Sequence, residues 1–293
     1  MPGVPHEMKI AMTEQVLPYL STTGVADLQR SDLLTIAQRP IIHRTLLLSG
    51  IPESKLALLI EDWENALPSS IHLAYLPKDG MIRLRLSSYG EASAEEIEQQ
   101  LKLLLPLVAD FLVATEDLSL EEIAGQLLRE QGATIATAES CTGGRLAAAL
   151  NAVSGASSYY MGSVVAYDNS VKTNVLGVPP TTLQTCGAVS EPTVRQMAEC
   201  VRTLMHTDYA IATSGIAGPT GGTIDKPVGT VWIAWATPQG TTAECFHFGA
   251  AREREQITQR AVTAALVELV KRLKHTDEGA PRQFSERRKA PTV

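Results

Sequence analysis

Between residues 119 and 274, short β-branched or alanine-rich runs alternate with helical patterns, and this alternation leaves few architectures open. SLEE (119–122) is an S-x-x-E capping box opening a helix that ends at Gly132. Strand-like runs occupy 133–138, 163–167, 209–213, 228–237 and 241–248, and helical patterns 143–152, 170–176, 191–206 and 252–274. The succession predicts a three-layer α/β/α domain over 116–275. The turn residues PQG (238–240) join the last two strands as a hairpin, so the sheet is expected to be mixed.

A smaller α+β unit is expected over 41–115. RTLLLSG (44–50) reads as a strand, and 54–67 as a helix carrying Leu56, Leu59, Ile60 and Trp63 on one face. IHLAYLP and MIRLRLSSYG read as two further strands, followed by a helix over 93–108 that opens with a second capping box. Residues 1–40 hold one amphipathic helix and little else that could form a core. The polar, aperiodic stretch 276–293 is expected to be a disordered tail.

Composition enters by exclusion. A formal charge of −7 argues against a broad nucleic-acid surface, which needs clustered Lys and Arg. The most apolar stretch, 103–114, is too short to span a bilayer and contains Pro106 and Asp110, so no membrane partner is expected. The N-terminus lacks a basic region leading into an apolar run, so no signal peptide is read there. Cys141, Cys186, Cys200 and Cys245 lie far apart, with no zinc-type spacing, and suit reduced thiols in a cytoplasmic protein.

Three polar loops follow strands in the 116–275 domain: ESCTGG (139–144), YDNSVK (167–172) and SGIAGPTGGTIDKPVG (214–229). Loops at the carboxyl ends of neighbouring strands converge on one crevice in an α/β sheet. Taken singly, each has a plain structural reading. Ser140 or Thr142 suits a helix cap, Cys141 a small buried hydrophobe, Lys172 a solvated charge and Tyr167 an edge residue. Together they offer a hydroxyl nucleophile, two candidate bases and a glycine-rich loop whose N–H groups could approach an anion. No HExxH, zinc-spaced cysteines or GxSxG elbow is present. His206, His247 and His275 are poorly placed for a Ser-His-Asp triad, and Lys172 and Tyr167 remain as candidate bases.

TAESCTGG, VVAYDNSVK, GAVSEPTV (187–194) and SGIAGPTGGTIDKPVGTVWIA, in this order, resemble the motif set of the CinA family's C-terminal domain, the nicotinamide-nucleotide amidase (PncC-type) module. RTLLLSGIPESKLALLIEDW with AYLPKDGMIRLRLSS resembles the KH-like unit that precedes that domain in the family's longer members. MPGVPHEMKIAMTEQVLPYL is similar to the last segment of their molybdopterin-binding-like first domain, so 1–40 is expected to be its remnant plus a linker. The pyrophosphatase activity associated with that first domain is not carried over. The KH-like unit has no GxxG, and 1–115 hold 9 Lys/Arg against 14 Asp/Glu, a net of −5. A structural or dimerisation role suits the unit better than RNA clamping, and a homo-oligomer is compatible with it.

The resemblance implies hydrolysis of the carboxamide of nicotinamide mononucleotide, giving nicotinate mononucleotide and ammonia, with no cofactor and no metal. Ser140 is then the nucleophile, Lys172 its base and Tyr167 a support. Glu139 is expected to tie the loop or meet the ribose. Ser214, Gly215, Gly218, Gly221 and Gly222 are expected to contact the substrate, and its phosphate is expected at the backbone of 215–222, at Thr142 and at the helix beginning at Gly143, helped by Arg145 or Lys226. Cys141 is expected to pack rather than react. A catalytically silent nucleotide-binding or regulatory module is the alternative.

Overall fold

The computed structural model describes residues 10–18, 41–90 and 92–276. The expected remnant over 1–40, apart from a helical stretch at 10–18, and the expected tail beyond Thr276 lie outside the described residues. The chain divides into two compact units, one comprising Met1–Leu76 and Ile82–Asp117, the other Pro77–Met81 and Leu118–Val293.

In the first unit, β1 (Ile42–Ser49), β2 (His72–Lys78), β3 (Met81–Ser88) and β4 (Leu112–Ala114) form a sheet in the order β2-β3-β1-β4. Alternation along β1 and β3 sends Leu46, Leu48, Leu84 and Leu86 into one core with Leu56, Ile60, Trp63, Ile97 and Leu104. These last residues belong to α1 (Glu53–Leu59), its continuation at Ile60, α2 (Glu61–Asn65) and α3 (Ala94–Val108). The single helix expected over 54–67 is broken at Ile60, whose φ of −107° and ψ of 10° leave the helical basin. Ser93 and Glu96 form the expected reciprocal cap of α3 at 3.2 and 2.6 Å. Strand β4 is absent from the sequence reading because its three residues are too few to show a period.

In the second unit, α4 (Leu120–Glu130) leads through a turn into β5 (Ile135–Glu139), then α5 (Arg145–Asn151), β6 (Tyr160–Val165), α6 (Asn169–Asn174), α7 (Pro180–Cys186) and α8 (Glu191–Leu204). There follow β7 (Tyr209–Gly215), β8 (Thr230–Thr237), β9 (Gly240–His247) and α9 (Arg254–Thr276). The sheet order is β6-β5-β7-β8-β9, with β5 parallel to both β6 and β7, and β8 and β9 antiparallel. The mixed α/β/α sandwich is therefore present.

Its two faces differ. Ala136, Ala138, Ala210, Ala212, Ala234 and Ala236 form a small-residue floor on which Val194, Met197, Ala198 and Val201 of α8 lie. α4, α5 and α9 pack on the other side, where the Trp235 indole donates to Ala265 O at 3.0 Å. Strand β6 begins and ends earlier than the expected 163–167, so Ala166 and Tyr167 stand beyond the strand, in the loop. This topology carries 140–144, 166–168 and 216–229 away from the carboxyl ends of three neighbouring strands.

Candidate active site

Glu139 ends β5, fully buried, and organises the loop after it. Its carboxylate accepts from Thr142 Oγ1 at 2.7 Å and from the N–H groups of Gly144, Leu146 and Ala147 at 2.9, 3.1 and 2.7 Å. An internal carboxylate thus takes the amides that open α5. Gly144, at φ +94°, makes the left-handed turn that aims those amides backward, and a side chain there would be strained. Thr142, also buried, meets the Thr213 hydroxyl at 2.7 Å.

Two expectations are corrected here. Glu139 does not reach solvent, so it is not a substrate contact, and its loop-tying role is the one the geometry supports. Thr142 and the amides from Gly143 onward are engaged within the protein, Gly143 N–H with Ser140 O at 3.2 Å, so they do not form a phosphate site.

Ser140 follows directly, pinned by its N–H to Thr213 O at 2.9 Å, and its side chain lines a cavity of about 240 Å³. Lys172 and Tyr167 line the same cavity, as do Ser214, Gly215, Gly218 and Gly221. Lys172 is 1% exposed, and its Nζ donates to Ala166 O at 2.7 Å and Tyr167 O at 3.0 Å. Burial lowers its pKa below the ordinary lysine value, opposed by the nearby charge of Asp168. Among the described residues no hydrogen bond joins Ser140 to Lys172. Tyr167 supports Lys172 through its main-chain carbonyl, whereas its ring is 64% exposed and its hydroxyl lies 3.5 Å from Arg254 Nη2. The support that Tyr167 gives Lys172 in this structure is thus a main-chain contact.

The remaining candidates separate. Ser214 donates to Ala188 O at 2.7 Å. At Gly215 a Cβ would come within 2.8 Å of Thr230 O and 2.7 Å of Val231 Cγ2, so the glycine allows the close pairing of β7 and β8. Gly222 is not on the cavity wall; its hydrogen faces Val228 N, 2.8 Å from where a Cβ would stand. Lys226 is not there either, because its Nζ donates to Val189 O at 2.8 Å and Cys186 O at 3.4 Å, tying the loop to 186–189. Arg145 faces a second cavity and pairs loosely with Glu255 at 3.5 Å. Cys141 is buried, and burial, reinforced by Glu139, pushes its thiol up to about 12, out of the reactive range.

The sequence reading missed Arg254 and Asn169 on the first cavity's wall and included Thr220 only through the backbone of 215–222. Asn169 sits within YDNSVK and Thr220 within the glycine loop, so both were within reach of that reading. Arg254 lies in AREREQ, which reads as an ordinary solvated charge run.

The family model of the CinA C-terminal domain matches residues 117–273, and that of the damage-inducible protein CinA KH domain matches 43–108. The chain belongs to the CinA family. A CinA-like protein of Cytophaga hutchinsonii is 48% identical over 240 residues, covering 80% of this chain and 54% of that protein. One of Flavobacterium psychrophilum is 41% identical over 278 residues, covering 93% and 63%. The chain thus spans between about half and two thirds of the length of these CinA relatives. The crystal structure of a competence damage-inducible protein A from Klebsiella pneumoniae is 40% identical with a TM-score of 0.51, covering 53% of this chain and 96% of that one. No helix among the described residues is long and apolar enough to cross a membrane.

Proposed function

We propose that the second unit is a serine amidohydrolase that converts nicotinamide mononucleotide to nicotinate mononucleotide and ammonia. The observation that carries this reading is the placement of Ser140 on one cavity wall with a buried, carbonyl-held Lys172 whose ammonium is disfavoured. A neutral amine has two N–H bonds and one lone pair. The carbonyls of Ala166 and Tyr167 engage both N–H bonds, which leaves the lone pair to act as a base.

In this mechanism the Ser140 hydroxyl attacks the carboxamide carbon as its proton passes to Lys172. The tetrahedral intermediate collapses as that proton goes to the departing nitrogen, releasing ammonia and leaving an ester on Ser140. Water, deprotonated by Lys172, then cleaves the ester. Main-chain N–H groups of the cavity-lining residues Ala217, Gly218, Thr220 and Gly221 are the candidates to meet the developing oxyanion. Formation of ammonia from nicotinamide mononucleotide by the pure chain tests the reading. Binding of the nucleotide without ammonia would identify a silent nucleotide-binding module instead.

A further inference from the structure

A second cavity, of about 320 Å³, adjoins the first, and Cys141 and Arg254 belong to both walls. Its own walls come from Thr142, Gly143, Arg145, Glu255 and Thr258. Thr142 is taken up by Glu139 and Thr213, and the buried Thr258 hydroxyl donates to Glu255 O at 2.9 Å. The amides that open α5 are taken by Glu139. Arg145 and Arg254 are therefore the groups left to meet a ligand. Arg254 is oriented by donating to Gly218 O at 2.9 Å, on the first cavity's side. Among the described residues the Arg145 side chain meets only Glu255, at 3.5 Å, with 46% and 75% of the two side chains exposed. So long and exposed a pair contributes little, and a stronger anion can replace the carboxylate.

We propose that this second cavity is the subsite for the substrate's 5′-phosphate, with Arg145 exchanging Glu255 for the phosphate and Arg254 bridging phosphate and reaction centre. The inference rests on the amidase reading for the ligand's identity. A phosphomonoester carries nearly two negative charges at neutral pH, and arginine meets it with two parallel N–H bonds. Glu255 then acts as a place-holder that disfavours nucleosides, since these carry no phosphate to displace it.

The test compares nicotinamide mononucleotide with nicotinamide riboside on the full chain. The wild type should favour the nucleotide in kcat/KM, and Arg145→Met should cut that preference by about tenfold or more, through the nucleotide's KM. Arg145→Lys should retain an intermediate preference, and Glu255→Gln should lower the nucleotide's KM. Equal wild-type values for the two substrates would overturn the subsite, as would an unchanged preference in Arg145→Met. Should Arg145→Met fail to fold by circular dichroism, Glu255→Gln decides, and a nucleotide KM that does not fall overturns it. Ammonia from neither substrate refutes the amidase reading instead. Titration with inorganic phosphate then judges the subsite: saturable binding lost in Arg145→Met supports it, and its absence in the wild type overturns it.

Discussion

Under the sheet of the first unit the buried side chains are long and aliphatic, Leu46, Leu48, Leu84 and Leu86 against Ile97 and Leu104. The strands of the second unit instead turn six alanines toward α8, and among its buried residues are Glu139, Lys172, Thr137, Thr142 and Thr213. The core of the first unit is held mainly by transfer of apolar surface, and its buried polar groups are the small hydroxyls of Thr45, Ser87 and Ser88. The other surrounds a carboxylate and a lysine with partners, because a charge taken from water without them costs far more than a methylene gains. Changes to core side chains of the first are expected to cost stability, whereas in the second the same degree of burial surrounds the groups to which the proposed mechanism assigns the chemistry.

The sharpest way to break this contrast is at the proposed pair of nucleophile and base. Ser140→Ala and Lys172→Ala should each lower kcat for ammonia release by about three orders of magnitude or more, and the double variant should be little worse than either. A Ser140→Ala enzyme keeping a tenth of its activity would make water the attacking group. With Lys172 as base, kcat/KM should climb as pH rises through its lowered pKa and level off below the ordinary lysine value. A profile flat from pH 6 to 10 would assign the base elsewhere.

Glu139→Ala comes next. It leaves several inward-facing donors without an acceptor and should cost about 3–5 kcal/mol in urea unfolding, with Glu139→Gln recovering part because the amide still accepts. A loss no larger than that of a surface substitution would mean that the loop is held by its glycines alone. In the first unit, Leu84→Ala should cost about 2–5 kcal/mol in the unfolding of that unit, with kcat on the nucleotide preserved. A kcat that fell with it would erase the contrast drawn here. The smallest effect is expected at Cys141. Cys141→Ala should keep activity within about tenfold, since no bond-making step is removed and a buried thiol contributes only its packing. Substrate-protected inactivation by a thiol reagent, together with an inert Cys141→Ala, would make the thiol the nucleophile.

The strands, helices and mixed sheet were legible because their periods run over many residues, and both capping boxes fall where S-x-x-E places them. The convergence of three loops was legible because it follows from parallel strands. What a side chain does inside a loop was not. Glu139 and Lys226 have the residue types of ligand contacts, yet both are taken up within the fold, and only three-dimensional partners reveal it. Arg254 was hidden for the opposite reason: it reaches the cavity from a helix start over a hundred residues after Ser140, in a run of charges with no signature of its own. The break at Ile60 and the three-residue β4 depend on local dihedrals and strand partners that no periodicity encodes.

Glu139 and Thr213 stand opposite one another in the register of β5 and β7, and Ser140 and Ser214 are the next residues out. Their separation is therefore measured by the sheet itself, at the strand spacing of about 4.8 Å. The loop from 216 to 229 can lengthen, shorten or change composition, and what the cleft admits will change with it. Ser140 stays where the lattice of main-chain bonds puts it, so under the proposed mechanism the range of substrates would drift while the reaction would not.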